Sequence, residues 1–511
     1  MTGAGSGDGG GGGDGARDPE PDFSSRLREE ALFGRLPLLR AEREYSTKGI
    51  LATGFTYAVA AWCFLIGGYA ANVVGAVQGI VALVAGCVVG VTLSAAGPAL
   101  ACNRYGLEQI DFTKSCFGQK GAKLILIFYI INQVGWTGMI LVMFGRGLAN
   151  VAGAIGFNGA LAGAPAAIQP GPANEWLVRI AVAAGIAVAY LIVIRGVHIL
   201  NLFNAIVTPG LIVVTGLLFY VIFRDSGWAA VVHRPPLEPA SDPRLGYVIA
   251  VEYGLGAGFS WWPGIGFLTR NTDTQRNSLY PQILTMGLGM GLVCCTGLLA
   301  GLLYRSYDPT IWMIKVGGPI LGALALALVA IANVSASALM MYTAALACRH
   351  VGFLRQLPWR TLTACTFVPV LVYAIVPDLL YARGAAFLAY NATMFAPISG
   401  VVVVDYLVLR RGRLNVSQIF EDAKGGHYRF LGGFNVLALG CVLLGQSLYI
   451  WLLDPVSLSA RGPVRLLTAS APAVILPMLI YLIGARLWLI PSGLGGYRAD
   501  PAPLPLREPN I

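Results

Sequence analysis

The amino-acid sequence predicts an all-α integral membrane protein with about twelve transmembrane helices. Only 12% of the 511 residues are charged and 56% are hydrophobic, whereas about a quarter of a typical soluble protein is charged. The hydrophobic residues form runs of roughly 20 or more, long enough to cross the ~30 Å hydrocarbon core of a bilayer. Because these runs recur along nearly the whole chain, one helical bundle is favoured over several soluble domains.

The runs define spans 1 to 12 in chain order. They cover residues 49–72, 74–101, 122–154, 176–194, 198–223, 246–269, 280–304, 317–347, 361–379, 384–409, 431–453 and 466–490. Basic residues are concentrated in the loops after spans 2, 6, 8 and 10. The positive-inside rule therefore places these loops and both termini in the cytoplasm. The net charge of +10 is explained by this loop pattern, and no nucleic-acid partner is expected.

Spans 1 and 6 contain stretches that interrupt a helix. Span 1 includes WCFLIGGYAAN, and span 6 includes GLGAGFSWWPGIG, with a proline among glycines. Close packing of helices on small residues is one explanation. Interrupted helices at the first and sixth positions also indicate two inverted five-helix repeats with a binding site between them. The predicted domains are a cytoplasmic tail (1–44), the first repeat (45–230), the second repeat (231–412), two additional helices (413–490) and a cytoplasmic C-terminal tail (491–511).

The sequence carries no recognisable catalytic motif. Its four histidines are not at metal-ligand spacing, and it has no nucleophile elbow, phosphate-binding loop or paired catalytic carboxylates. We therefore expect neither an enzyme nor a resident metal or cofactor.

Polar residues within apolar spans are costly to bury and so indicate function. In span 3, Gln133 and Trp136 are three residues apart and share a helix face. A planar heterocycle can stack on Trp136 while Gln133 offers its edge a donor and acceptors. The alternative is a packed tryptophan and a glutamine bonded to a neighbouring helix. The same choice applies to the polar candidates in spans 6 and 8, which are Ser260, Trp261, Asn333, Ser335 and Ser337.

Three charged residues also lie in or at the ends of spans. At 1.5 Å per residue, Arg146 and Glu252 both lie about 15 Å outward of the span-3 and span-6 tryptophans. This predicts an ion pair in the outer vestibule, with Glu252 as a candidate proton-coupling group and a static structural pair as the alternative. Asp405, at the inner end of span 10, is predicted to anchor that end or a gate by pairing with a nearby Arg or Lys. The alternative for Asp405 is a solvated boundary residue.

Two stretches carry a family resemblance. One runs from Gly67 to about Asn150 and includes YGLEQIDFTKSCFGQKG and GWTGMILVMFGRGL, and the other is PISGVVVVDYLVLRRGRLNVSQIF, which closes span 10. Both resemble the nucleobase–cation symporter-1 family, in its purine–cytosine permease branch. The resemblance implies a LeuT-like five-plus-five inverted repeat, two extra helices and alternating access.

The resemblance also implies roles for individual residues. Trp136 and Trp261 match the aromatic residues that sandwich a base, and Gln133 matches the glutamine that reads its edge. Ser260 and Asn333 match further polar positions. Departures from the family pattern are Phe267 in place of an aspartate and Ile140 in place of the glutamine of hydantoin-type members. In sodium-coupled members, span-8 hydroxyls ligate the ion, so the resemblance makes Ser335 and Ser337 candidate cation-coupling residues, although neither aligns securely with the expected position.

Together these features predict a symporter that imports a nucleobase-like planar heterocycle, such as cytosine or a purine, with H⁺ or Na⁺ as the co-transported cation. A carrier of the same fold for a vitamin precursor, hydantoin or allantoin, amine or amino acid is the alternative, followed by a non-transporting sensor or a channel. The expected partners are the heterocyclic substrate and membrane lipid. The sequence leaves the oligomeric state open and is compatible with a monomer. Ala/Gly-rich composition and arginine in excess of lysine favour a bacterial inner plasma membrane.

Overall fold

The computed structural model describes residues 36–58, 60–154, 175–240, 242–421, 426–465 and 467–497. Within these ranges the chain is helical, apart from connecting turns and isolated bridges. Residues 1–35 of the predicted N-terminal tail and 498–511 of the predicted C-terminal tail lie outside the described residues.

Helices occupy each of the predicted spans. Spans 1 and 6 are each divided by a break into two helices, which we call 1a and 1b, and 6a and 6b. The bounds are Thr47–Ala58 (1a), Ala61–Val73 (1b), Ala76–Ala96 (2), Gly121–Ala154 (3), Glu175–Arg195 (4), Val197–Val232 (5), Pro243–Phe259 (6a), Trp262–Arg270 (6b), Arg276–Gln282 with Met290–Tyr304 (7), Ala323–Cys348 (8), Trp359–Phe367 with Val372–Ile375 (9), Gly384–Val403 (10), Val436–Leu452 (11) and Ser470–Gly484 (12). Shorter helices connect them, among them Pro98–Tyr105, Gln109–Phe117, Pro309–Gly317 and Asp378–Tyr381.

The fold is an all-α membrane bundle, as the sequence predicts. In the described part of the chain, seven helices are long and apolar enough to cross a membrane, and eight if 1a and 1b form one span. Three further apolar helices are shorter, at Pro209–Arg224, Trp359–Ile375 and Val436–Leu452. The count of twelve and the domain boundaries stay predictions.

The two breaks differ in size. Helices 1a and 1b meet at a bend of 48°. In span 6, Ser260 and Trp261 keep right-handed helical dihedrals, and Trp261 N–H donates to the carbonyl of Gly258 at 3.3 Å. Pro263 has no N–H to donate to the carbonyl of Phe259, so the α-helical pattern stops there. The span-6 break is therefore a tight turn rather than an unwound segment.

Glycines bring spans 2 and 6a into backbone contact. Gly86 and Gly90 on span 2 face Gly254 and Gly258 on span 6a, and each pair is spaced by four residues. A Cβ atom on Gly258 would lie 2.6 Å from the backbone nitrogen of Val91. Small residues at this spacing let membrane helices approach closely. This contact fixes the helix that ends at the span-6 break.

The two C-terminal spans pack against span 10. A Cβ atom on Gly445 of span 11 would lie 2.5 Å from Pro397, and one on Gly400 would lie 2.9 Å from the carbonyl of Val474 in span 12. Spans 11 and 12 therefore form a tight layer on the second repeat.

Candidate functional site

A small cavity lies between spans 1, 3, 6 and 8, beside the two breaks. Four predicted substrate-binding residues, Gln133, Trp136, Ser260 and Trp261, meet in its wall. The complete lining is Trp62, Gln133, Trp136, Ser260, Trp261, Gly264, Leu339, Met340 and Thr343. An aromatic and apolar wall with a few polar groups is typical of small-molecule sites.

Trp62, which the sequence analysis did not single out, joins the two tryptophans predicted to sandwich the ligand. Its ring centroid lies 5.2 Å from that of Trp136, with 63° between the planes. The centroid of Trp261 lies 5.8 Å away, at 59°. The first contact is edge-on and the second is tilted, so neither pair is stacked. Trp62, in the first turn of helix 1b, thus forms a third aromatic wall of the cavity.

Gln133 is held by span 8. Its Nε2 donates to the carbonyl of Met340 at 3.0 Å and to Oγ1 of Thr343 at 2.5 Å. The Thr343 hydroxyl in turn donates to the Met340 carbonyl at 2.9 Å. Because a backbone carbonyl can only accept, the amide nitrogen must face span 8. The structure thus corrects the expectation that Gln133 offers a ligand both donors and acceptors, because both N–H groups are already used.

Asn333 does not reach this cavity. It lines a separate pocket with Ala61, Met143 and Thr310. Leu339, the first cavity residue on span 8, is six residues further on, or about 9 Å along the helix axis. The structure therefore separates Asn333 from the other four predicted substrate-binding residues.

The two serines proposed for cation coupling are buried in span 8. The hydroxyl of Ser337 donates to the carbonyl of Asn333 in the preceding turn at 2.8 Å. Ser335 also has an interaction partner. Their cation-coupling role stays a prediction.

Arg146 pairs with acidic residues of two loops and not with Glu252. Its guanidinium hydrogen-bonds the carboxylate of Asp378 and lies 3.8 Å from Oδ2 of Asp308. It also lies over the ring of Tyr381, 4.5 Å from the centroid, and Tyr381 donates to Asp308 at 2.9 Å. Arg146 thus links span 3 to the loops before span 8 and before span 10. The gating role of Arg146 stays a prediction.

Glu252 faces the C-terminal spans, so the predicted ion pair with Arg146 is wrong. Its Oε1 accepts from the backbone N–H of Ser470 at 2.8 Å. Its Oε2 accepts from the hydroxyls of Ser470 at 2.6 Å and Tyr449 at 3.0 Å. Residue counts place Glu252 and Arg146 at one depth, but they do not say which face of each helix the side chains occupy.

Asp405 is buried at the end of span 10 in a network of hydrogen bonds. Its Oδ2 lies 2.7 Å from Nε of Arg410, and its Oδ1 accepts from the hydroxyls of Tyr481 and Tyr497 at 2.9 and 2.6 Å. Arg410 also donates to the carbonyl of Ser115 at 2.6 Å. Asp405 thus ties span 10 to span 12 and to the loop between spans 2 and 3.

A second buried charge cluster, at the end of span 8, was not predicted. The Nε2 of His350 lies 3.0 Å from Oε2 of Glu108, and its Nδ1 lies 3.3 Å from Oδ1 of Asp111. Lys114 donates to Asp111 at 2.6 Å. Burial alone lowers the pKa of His350, but Asp111 and Glu108 outweigh it and raise this pKa to about 9. Burial works to raise the pKa of Asp111, yet His350 and Lys114 hold it well below its usual range.

The missed residues differ in the signal they offered. Trp62 follows directly on the span-1 break, and that position was available as a clue. Thr343 and Met340 lie in an apolar run, and nothing in their spacing connects them with Gln133. Glu108 and Asp111 lie between spans 2 and 3, while His350 follows span 8, so only the folded chain brings these three side chains together.

Comparison with known proteins identifies the family. Residues 42–470 match the family model described as a permease for cytosine/purines, uracil, thiamine, allantoin. The chain belongs to the nucleobase–cation symporter-1 family. This confirms the resemblance seen in the sequence and the expectation that the protein is a transporter-family member rather than an enzyme.

Solved structures support the fold. The chain is similar in structure to Mhp1, a nucleobase-cation-symport-1 family transporter, in a closed conformation with bromovinylhydantoin bound. The TM-score is 0.70 at 18% sequence identity, and the match covers 89% of this chain and 96% of Mhp1. Its inward-facing conformation has a TM-score of 0.71 at 16% identity, covering 92% and 97%. A Na⁺-coupled sialic acid symporter has a TM-score of 0.53 at 10% identity, covering 91% and 94%.

A curated relative matches over a short stretch. The purine-uracil permease NCS1 of Arabidopsis thaliana is 31% identical over 58 residues, which is 11% of this chain and 10% of that protein. The match spans about a tenth of the relative, so it supports the family assignment and does not identify a substrate.

Proposed function

We propose that the protein is a secondary active symporter that imports a nucleobase-like planar heterocycle, such as cytosine or a purine, together with a cation. The observation that carries this proposal is the cavity that Trp62, Trp136 and Trp261 line together with Gln133. Aromatic walls suit a flat ring, and one amide in an apolar wall suits a ring with a polar edge. The hydantoin bound to Mhp1 is a flat ring of this kind.

Uptake in membrane vesicles tests the proposal. We expect radiolabelled cytosine or adenine to enter saturably when an inward proton or sodium gradient is imposed, and to be displaced by other heterocycles. Hydantoins, amines and amino acids serve as the competitor panel. Uptake of an amine or amino acid that no heterocycle displaces would contradict the proposal, and non-saturating flux would indicate a channel.

We further propose Glu252 as a proton-coupling group. Its hydrogen bonds come from Ser470 and Tyr449, and no Lys, Arg or His of the described chain forms an ion pair with it. A buried carboxylate without a cation is costly when charged. When Glu252 is neutral, one of the two hydroxyls can reverse direction and accept a hydrogen bond from its O–H, so hydrogen bonding is kept in both protonation states.

Changing Glu252 to Gln is therefore expected to remove the stimulation of uptake by an inward proton gradient, while uptake without a gradient persists. The measurement is initial uptake rate against external pH. Glu175→Gln is the matched control, because Glu175 is an exposed carboxylate paired with Arg179. A pH profile of Glu252→Gln that matches the wild type would rule out the coupling role.

A further inference from the structure

The hydrogen bonds around Gln133 determine which ligand edge the cavity accepts. Both N–H groups of its amide are directed at span 8, to the carbonyl of Met340 and the hydroxyl of Thr343. The Thr343 proton is itself used on the Met340 carbonyl. Thr343 must therefore accept from Gln133, and the amide cannot flip without facing its oxygen towards a carbonyl oxygen.

The remaining capacity of Gln133 is that of an acceptor. Its Oε1 accepts no hydrogen bond from the residues that the structure describes, and Gln133 lines the cavity. Ser260 contributes in the same sense, because its hydroxyl donates to the carbonyl of Ala257 at 2.6 Å and leaves oxygen lone pairs. The indole N–H of Trp261 is directed at the sulfur of Met290 at 3.4 Å.

We infer that Thr343 is a specificity-determining residue, which locks Gln133 as a hydrogen-bond acceptor so that the cavity selects heterocycles whose edge carries an N–H donor. This inference rests on the proposed function and deepens it. A ligand without that donor leaves the Gln133 oxygen unpaired in an apolar cavity, which lowers affinity by about tenfold to a hundredfold.

The test compares isosteric ligands. Adenine has two donor groups, and one is lost when a methyl group replaces the exocyclic amine and the other when the ring N–H is methylated. Cytosine offers the same comparison. Inhibition constants against radiolabelled uptake give a ratio that is independent of expression level. In the wild type we expect adenine to bind about tenfold or more tightly than the analogue that lacks the donor group facing Gln133. Equal inhibition by adenine and both analogues would overturn the inference.

Variants at Thr343 test the lock itself. Thr343→Val removes the hydroxyl at nearly constant volume, frees one amide N–H of Gln133, and is expected to shift the ratio towards one. Thr343→Ser keeps the hydroxyl and should keep the wild-type ratio, and Thr343→Ala is a second hydroxyl-free variant. A wild-type ratio in both hydroxyl-free variants would overturn the lock. Failure of the proposed function is distinguishable, because the wild type would then take up no heterocycle.

Discussion

Replacing Trp136 with alanine is expected to abolish saturable uptake while the protein still inserts into the membrane. Trp136 contacts the rings of Trp62 and Phe387, with centroids 5.2 and 5.3 Å away, and it lines the cavity. Stacking of a base on an aromatic side chain contributes about 1–3 kcal/mol. Loss of this wall also widens the cavity, so uptake should fall to the non-saturable background.

Initial uptake rate against substrate concentration measures this effect, together with the amount of protein in the membrane. Trp136→Phe keeps an aromatic face and should retain saturable uptake with a raised half-saturation constant. Trp488→Ala is the control, because Trp488 is 41% exposed at the outside of the bundle and should transport normally. Normal transport by Trp136→Ala would contradict the stacking model.

The fold followed from the sequence because its signal is local. A hydrophobic run of membrane-spanning length is visible without any tertiary contact, and Pro263 among glycines marked the place where span 6 stops being an α-helix. The size of that break was less predictable. Ser260 and Trp261 keep helical dihedrals, which no local pattern in the sequence indicates.

The site was predictable where residues share one helix and less so where helices meet. Gln133 and Trp136 are one turn apart, so their common face could be derived from the sequence. The partners of Glu252 could not, because Tyr449 and Ser470 follow it by 197 and 218 residues. Depth along a helix can be counted from the sequence, but the direction of a side chain depends on which helices pack around it.

A pH-dependent stability is expected from His350. Its side chain is 9% exposed and lies between Glu108 and Asp111, with Lys114 on Asp111. Arg270 of helix 6b acts on the same two carboxylates. Protonated His350 therefore holds the loop between spans 2 and 3 against the end of span 8.

The direction of the pH effect follows from the raised pKa. The ordinary pKa of a histidine side chain is 6.5, and the pKa of His350 in the folded protein is about 9. The stabilisation is fully present below pH of about 6.5 and is lost as pH rises through about 9. This pKa difference corresponds to about 3 kcal/mol in the free energy of unfolding. The melting temperature in detergent should therefore fall between neutral pH and about pH 10.

His350→Gln cannot carry the charge, so its melting temperature should be lower than that of the wild type at neutral pH. The two should converge as pH approaches about 10, where wild-type His350 is neutral. His233→Gln is the matched control, because His233 is exposed in the loop after span 5. Melting curves that keep a constant difference between His350→Gln and the wild type at all pH values would contradict this role, because a purely steric effect of the substitution does not titrate.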